Sequence, residues 1–104
     1  MEHLPVTYRP EALRDIDSIF LYVLDISQSL ATAQSFTDRI FEHCERIGDV
    51  PRGGISRGDL GEGVRLVPFE RSAVILYRLN GDTVEVLNIF YRGRDYEAIL
   101  SNKQ

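Results

Sequence analysis

The sequence predicts an α+β domain in the order β-α-α-β-β-β, a helical hairpin laid on an antiparallel sheet. Three observations carry this. Apolar residues recur at helical spacing over roughly residues 10–47, and the period changes to two from Gly63 onward. A third is the Asn80-Gly81 pair between two period-two runs, a strong two-residue hairpin signal because both positions tolerate positive φ. At 104 residues, with 43% hydrophobic and 27% charged residues, residues 1–104 are expected to form one globular domain.

Residues 4–8 alternate weakly and read as a short first strand, with Pro5 suited to a strand start or an edge. Pro10 fits the first turn of a helix. Leu13, Ile16, Phe20 and Val23 follow as a stripe, and Ile19, Leu21 and Leu24 widen it, so this helix is expected to pack on more than one side. Ser29 is the expected N-cap of a second helix from about Leu30 to Ile47, with Gly48 just past its end. Its stripe is Ala33, Phe36, Ile40, Cys44 and Ile47, and the short turn Ile26 to Ser29 makes the pair a hairpin. Six of the eight glycines lie between Gly48 and Gly63, which marks a long irregular loop. Strands are then expected over 63–69, 73–79 and 83–91.

With Asn80 and Gly81 as the loop, Leu79 opposes Asp82, Tyr77 opposes Val84 and Ile75 opposes Val86. With Phe90 these form one apolar face for the helices. The other face holds Val74, Leu76, Leu87, Ile89 and Tyr91 beside Arg78, Thr83 and Glu85. It is too apolar to stand bare in water and reads as a partner surface. The register decides this, since a one-residue slip exchanges the faces.

Composition narrows the chemistry. The longest uninterrupted apolar run, Ile19 to Leu24, is far short of a bilayer span, and the first residues lack the pattern of a signal peptide. One cysteine forms no internal disulfide, which suits a cytoplasmic protein. His3, His43 and Cys44 show no zinc spacing, so no metal is expected, and no Ser sits in a nucleophile elbow. The glycine cluster lacks a phosphate-loop or dinucleotide pattern and precedes a strand, so no cofactor is expected. Glu11, Asp15 and Asp17 crowd the start of the first helix, where its dipole favours them.

Charge is uneven. Residues 1–51 carry four Arg and nine acids (4 − 9 = −5), and residues 52–104 carry seven Arg, one Lys and seven acids (8 − 7 = +1). Arg makes planar, bidentate contacts, so the second half reads as a contact surface. A net charge of −4 has the wrong sign for autonomous binding to nucleic acid. The densest cluster is Tyr91-Arg92-Gly93-Arg94-Asp95 at the exit of the last strand, with Arg65 near the start of another.

These pieces resemble the RelE/ParE superfamily of type II toxins, and its ParE branch in particular. Ala12, Asp15, Ile16, Ile19 and Tyr22 resemble an opening "A-x-x-D-L-x-x-I-x-x-Y" helix, and Ala33-Gln34-Ser35-Phe36 is similar to the start of the second. Val50 to Gly54 resembles an "x-P-x-x-G" loop, Gly63-Val64-Arg65 a "G-x-R" strand start, and Leu76-Tyr77-Arg78 an "F-Y-R" strand. Residues Ile89 to Asp95 resemble the closing "V-x-(H/Y)-x-x-R-D".

The resemblance implies a toxin neutralised by a ParD-like antitoxin. ParE-type members act on DNA gyrase, stalling it in a DNA-cleaved state, whereas RelE-type members cut messenger RNA on the ribosome. RNA cleavage benefits from a proton acceptor, a proton donor and cationic stabilisation. Arg65, Arg92 and Arg94 supply cations, but Arg is a poor base, and Tyr91 is the one proton-transfer group in the cluster. Missing base and acidic balance favour gyrase poisoning over an enzyme. The alternatives are a RelE-like ribonuclease, or an inactive toxin serving as an interaction module. Arg65, Tyr91, Arg92, Arg94 and Asp95 are the expected toxicity residues. Ile19, Val74, Leu76, Leu87 and Ile89 are the expected antitoxin contacts, met by a helix laid in a groove or by an added strand.

Overall fold

The computed structural model describes residues 3–91. The elements are β1 (Val6–Tyr8), α1 (Pro10–Ser27), α2 (Leu30–Ile47), β2 (Ile55–Ser56), β3 (Arg65–Phe69), β4 (Ala73–Asn80) and β5 (Thr83–Tyr91), with one 3₁₀ turn at Gly58–Leu60. The α+β class and the helical hairpin stand as expected. Two details of the sheet differ: among the described residues it has five strands in the order β1-β5-β4-β3-β2, and β1 runs parallel to β5, so the sheet is mixed. A parallel neighbour needs a long crossover, which the stretch from α1 to β4 supplies.

Pro10 occupies the first turn of α1, where its missing N–H costs nothing. The helix stops where Gln28 turns left-handed (φ 54) and its N–H reaches the Leu24 carbonyl at 2.9 Å. Ser29 then caps α2, its hydroxyl accepting from the Thr32 N–H at 3.1 Å. Gly48 ends α2 with an ordinary φ of −60, so its need for glycine is one of space. A Cβ there would lie 2.3 Å from the Leu4 carbonyl oxygen.

The buried stripe of α1 is Ala12, Ile16, Ile19 and Val23, rotated from the one expected, and Leu13 and Leu21 are exposed. Together with Ala33, Ile40, Cys44 and Ile47 of α2 it packs on Phe69, Ala73, Ile75, Tyr77, Val84, Val86 and Ile89. A second cluster on the opposite face comprises Val64, Leu66, Leu76 and Phe90, with Leu60, Val74 and Leu87 against it.

The β4–β5 register corrects the expected pairing. Asn80 pairs with Thr83, so the loop is Gly81-Asp82, and Gly81 supplies the positive φ of 63. Pairs therefore shift by two, which keeps Tyr77, Leu79, Val84 and Val86 on the helix side. Leu87 is then an extra residue: Tyr77 pairs with Val86 but Leu76 with Asn88. This bulge exchanges the faces beyond it. Ile89, expected on the outer face, joins the helix-side core, and Phe90 takes the outer face.

Candidate functional site

The bulge has a specific partner. Asp15, from the second turn of α1, accepts the Ile89 N–H at 2.9 Å and the Asn88 side-chain amide at 3.4 Å, both through Oδ2. A bulge disrupts the local ladder, and here a side-chain carboxylate takes the Ile89 amide. The helix dipole alone does not account for this residue.

Arg65 opens β3 opposite Tyr77. Its Nη1 donates to the Gly54 carbonyl at 2.8 Å and the Arg52 carbonyl at 3.2 Å. The wholly buried Tyr77 hydroxyl accepts from the Gly54 N–H at 3.0 Å and donates to the Pro51 carbonyl at 2.9 Å. Burial raises the pKa of this phenol and so suppresses its ionisation, opposed by the Gly54 N–H and by Arg65. Gly54 is obligatory, because a Cβ would lie 2.6 Å from the Tyr77 hydroxyl. Four polar contacts thus strap the loop 51–54 to the sheet.

Tyr91 ends β5 on the helix side. Its ring meets Tyr22 edge-on at 5.4 Å and Phe36 at 5.5 Å, and Phe36 in turn meets Phe69 at 5.6 Å. Arg65 shares the row of Tyr77, whereas Tyr91 shares the row of Ala73. At about 3.3 Å per residue these rows lie about 13 Å apart along the strands. Arg65 and Tyr91, grouped among the expected toxicity residues, are therefore not brought together. Arg92, Arg94 and Asp95 lie outside the described residues.

Of the expected antitoxin contacts, Ile19, Leu76 and Ile89 are buried in the folded chain, and Val74 and Leu87 are half-buried. Ile19 and Ile89 belong to the helix-side core. The most exposed large apolar side chains among the described residues are elsewhere: Leu21, Ile26 and Leu30 around the hairpin turn, and Val50 and Ile55 along the glycine loop. The sequence signal for Leu21 was its offset from the buried stripe. Val50 and Ile55 carry no periodicity that would single them out.

Arg39 pairs with Glu70 through two nitrogens at 2.8 and 3.3 Å, and Arg78 with Glu85 at 3.0 Å. Arg46 and Arg52 have no ion-pair partner among the described residues. Burial pushes the Cys44 thiol up to about 12, which leaves it protonated and unreactive. His43 is pulled below its ordinary value by burial and by Arg46. Among the described residues no group of three or more His, Cys, Asp or Glu is placed to hold a metal ion, and no helix is long and apolar enough to cross a membrane.

The family model described as the ParE toxin of the type II toxin-antitoxin system, parDE, matches residues 6–96. The chain belongs to that family. Among solved structures, this ParE-family chain is similar to one of the chromosomal ParDE toxin-antitoxin system from P. aeruginosa, with a TM-score of 0.74 and 21% identity over 86% of this chain and 97% of that one. It is also similar to one of the RelBE2 toxin-antitoxin complex from Mycobacterium tuberculosis, with a TM-score of 0.62 and 16% identity over 86% and 99% of the two chains. Both likenesses concern the fold. No curated protein matches by sequence.

Proposed function

We propose that this ParE-type toxin acts on DNA gyrase and is held inactive by a ParD-like antitoxin, with both encounters in the cytoplasm. The observation that carries the reading is the commitment of Arg65. Its guanidinium is spent on the carbonyls of Arg52 and Gly54, about 13 Å along the strands from Tyr91. A ribonuclease of this kind needs its cation and its proton-transfer group around one phosphate. A protein that poisons by contact needs only a rigid surface. The ParDE system as structural neighbour supports an antitoxin of the ParD kind.

Tyr91, Arg92, Arg94 and Asp95 are the residues proposed to meet the target, while Arg65 holds the loop 51–54 in place at the other end of the strands. The test is induction of the chain without a partner. Filamentation and a DNA-damage response before any fall in translation is the expected result, together with gyrase-dependent DNA breaks in a purified cleavage assay. Rapid translation arrest with cut messenger RNA overturns the gyrase reading in favour of RelE-like cleavage. Absence of any growth effect leaves an interaction module.

A further inference from the structure

The surface between the last turns of α2 and the loop 49–55 differs from the rest of this acidic chain. A cleft of about 200 Å³ is walled by His43, Ile47, Val50, Gly53 and Val67, with Arg46 at its rim. A neighbouring depression of about 320 Å³ shares Val50 and Gly53 and carries Arg52. Val50 is 65% exposed and Ile55 60%, so two large aliphatic side chains stand in water beside two arginines that have no ion-pair partner among the described residues. Among the described residues the one carboxylate lining these hollows, Asp49, is held by His3 Nδ1 at 2.6 Å. Glu45, beside Arg46 in sequence, accepts from the Tyr8 hydroxyl at 2.9 Å.

We infer that this surface docks an acidic, extended peptide segment with an aliphatic anchor, contributed by the antitoxin. The inference rests on the reading that the chain is neutralised by such a partner. Charge complementarity selects the occupant. An acidic segment is repelled by a chain of net charge −4, except where arginines stand together unneutralised. Arg46 lines the cleft, Arg52 lines the neighbouring depression, and Val50 and Gly53 line both, so carboxylates on either side of a Leu or Val anchor meet guanidinium groups while the anchor enters the cleft.

Two further features suit an extended chain. β2 is the outermost strand of the sheet and both of its residues are exposed, so it presents an edge to a segment lying along it. The loop beside it is already strapped by Tyr77 and Arg65 and closed by the Gly53 N–H to Val50 carbonyl bond at 2.9 Å. Little ordering is therefore left to be done on binding.

The test uses the purified chain and a synthetic peptide, Asp-Glu-Leu-Glu-Val-Asp-Glu, against a twin with Lys at every acidic position. The acidic peptide is expected to bind in a salt-dependent manner and to shift the amide resonances of Gly53, Gly54 and Ile55. Arg46→Glu/Arg52→Glu is expected to lower its affinity at least about tenfold. Melting of that variant checks its fold, since neither side chain makes a hydrogen bond among the described residues. Equal binding of the twin, an unchanged affinity in the folded variant, or shifts centred on Leu21 and Leu24 of α1 each overturn the assignment. Failure of the toxin reading is read separately. A wild-type chain that does not arrest growth refutes that reading. A toxic double variant that the antitoxin still neutralises fully refutes only this site.

Discussion

Replacing Tyr77 by Phe removes one oxygen and keeps the ring, so the perturbation is confined to two hydrogen bonds. The hydroxyl accepts from Gly54 N–H and donates to the Pro51 carbonyl, and the side chain is fully buried. Ring volume is unchanged, so no cavity term enters. Two backbone groups lose a partner, each at about 1–2 kcal/mol, which gives a loss of about 2–4 kcal/mol. In a domain of this size that lowers Tm by at least about 10 °C. Tyr8→Phe is the matched control, because its hydroxyl donates to a solvent-facing Glu45 carboxylate that water can serve instead. Urea unfolding of the three proteins, followed by far-UV circular dichroism, supplies the comparison, with equal m-values confirming that the folded and unfolded states keep their compactness. Amide exchange at Gly54 is expected to speed up more than exchange in β4. If Tyr77→Phe and Tyr8→Phe differ by less than about 0.5 kcal/mol, the phenol does not anchor the loop and the account of a strapped surface fails.

Asp15→Ala leaves the Ile89 N–H without its acceptor and is expected to cost about 2–3 kcal/mol, with Asp15→Asn recovering part of it through the remaining oxygen; denaturant midpoints decide. Gly54→Ala places a Cβ 2.6 Å from the Tyr77 hydroxyl and is expected to destabilise more than Gly58→Ala, which meets nothing within 4 Å; thermal melts of the two variants check this. His43 binds a proton less readily in the folded chain than at its ordinary 6.5, so the unfolded chain takes up more protons as pH falls below that value. Its contribution is therefore full above pH 6.5 and declines through 6.5 towards the lowered folded value, and His43→Gln is expected to flatten that part of the stability–pH curve.

Where a local pattern determines the structure, the sequence was legible. Pro10, Ser29 and the apolar repeats place both helices, and the period-two runs place β3, β4 and β5. What stayed hidden depends on distant partners. Asn80-Gly81 and Gly81-Asp82 both satisfy hairpin chemistry, so the turn alone does not choose the register. The bulge at Leu87 is held by a carboxylate more than seventy positions earlier in the chain. β2 has only two residues, too few for a periodic signal, and although residues 4–8 read as a strand, nothing local tells that β1 pairs parallel to β5. The Glu70-Arg71 turn adopts φ values of 46 and 59 without glycine, and a bidentate Arg39–Glu70 pair from α2 ties it down. For the site, the "G-x-R" resemblance singled out Arg65, but its partners are backbone carbonyls, which leave no mark in a sequence.

The position of β5 in the sheet bears on the timing of synthesis. Among the described residues it is the last strand made, yet it lies between β1 and β4, and its Ile89 amide donates to Asp15 of α1. A growing chain has its helical hairpin and β3–β4 early, but β1 has no neighbour to pair with and Asp15 nothing to accept from. Pairings this remote in sequence form late, because a long loop must close before any contact rewards it. Until β5 emerges, the helices lack the strand on which much of their core side chains rest, and the unfinished chain cannot present the surface of the finished one. In a ParE-type toxin, any surface that rests on this sheet is therefore completed only after β5 has been translated.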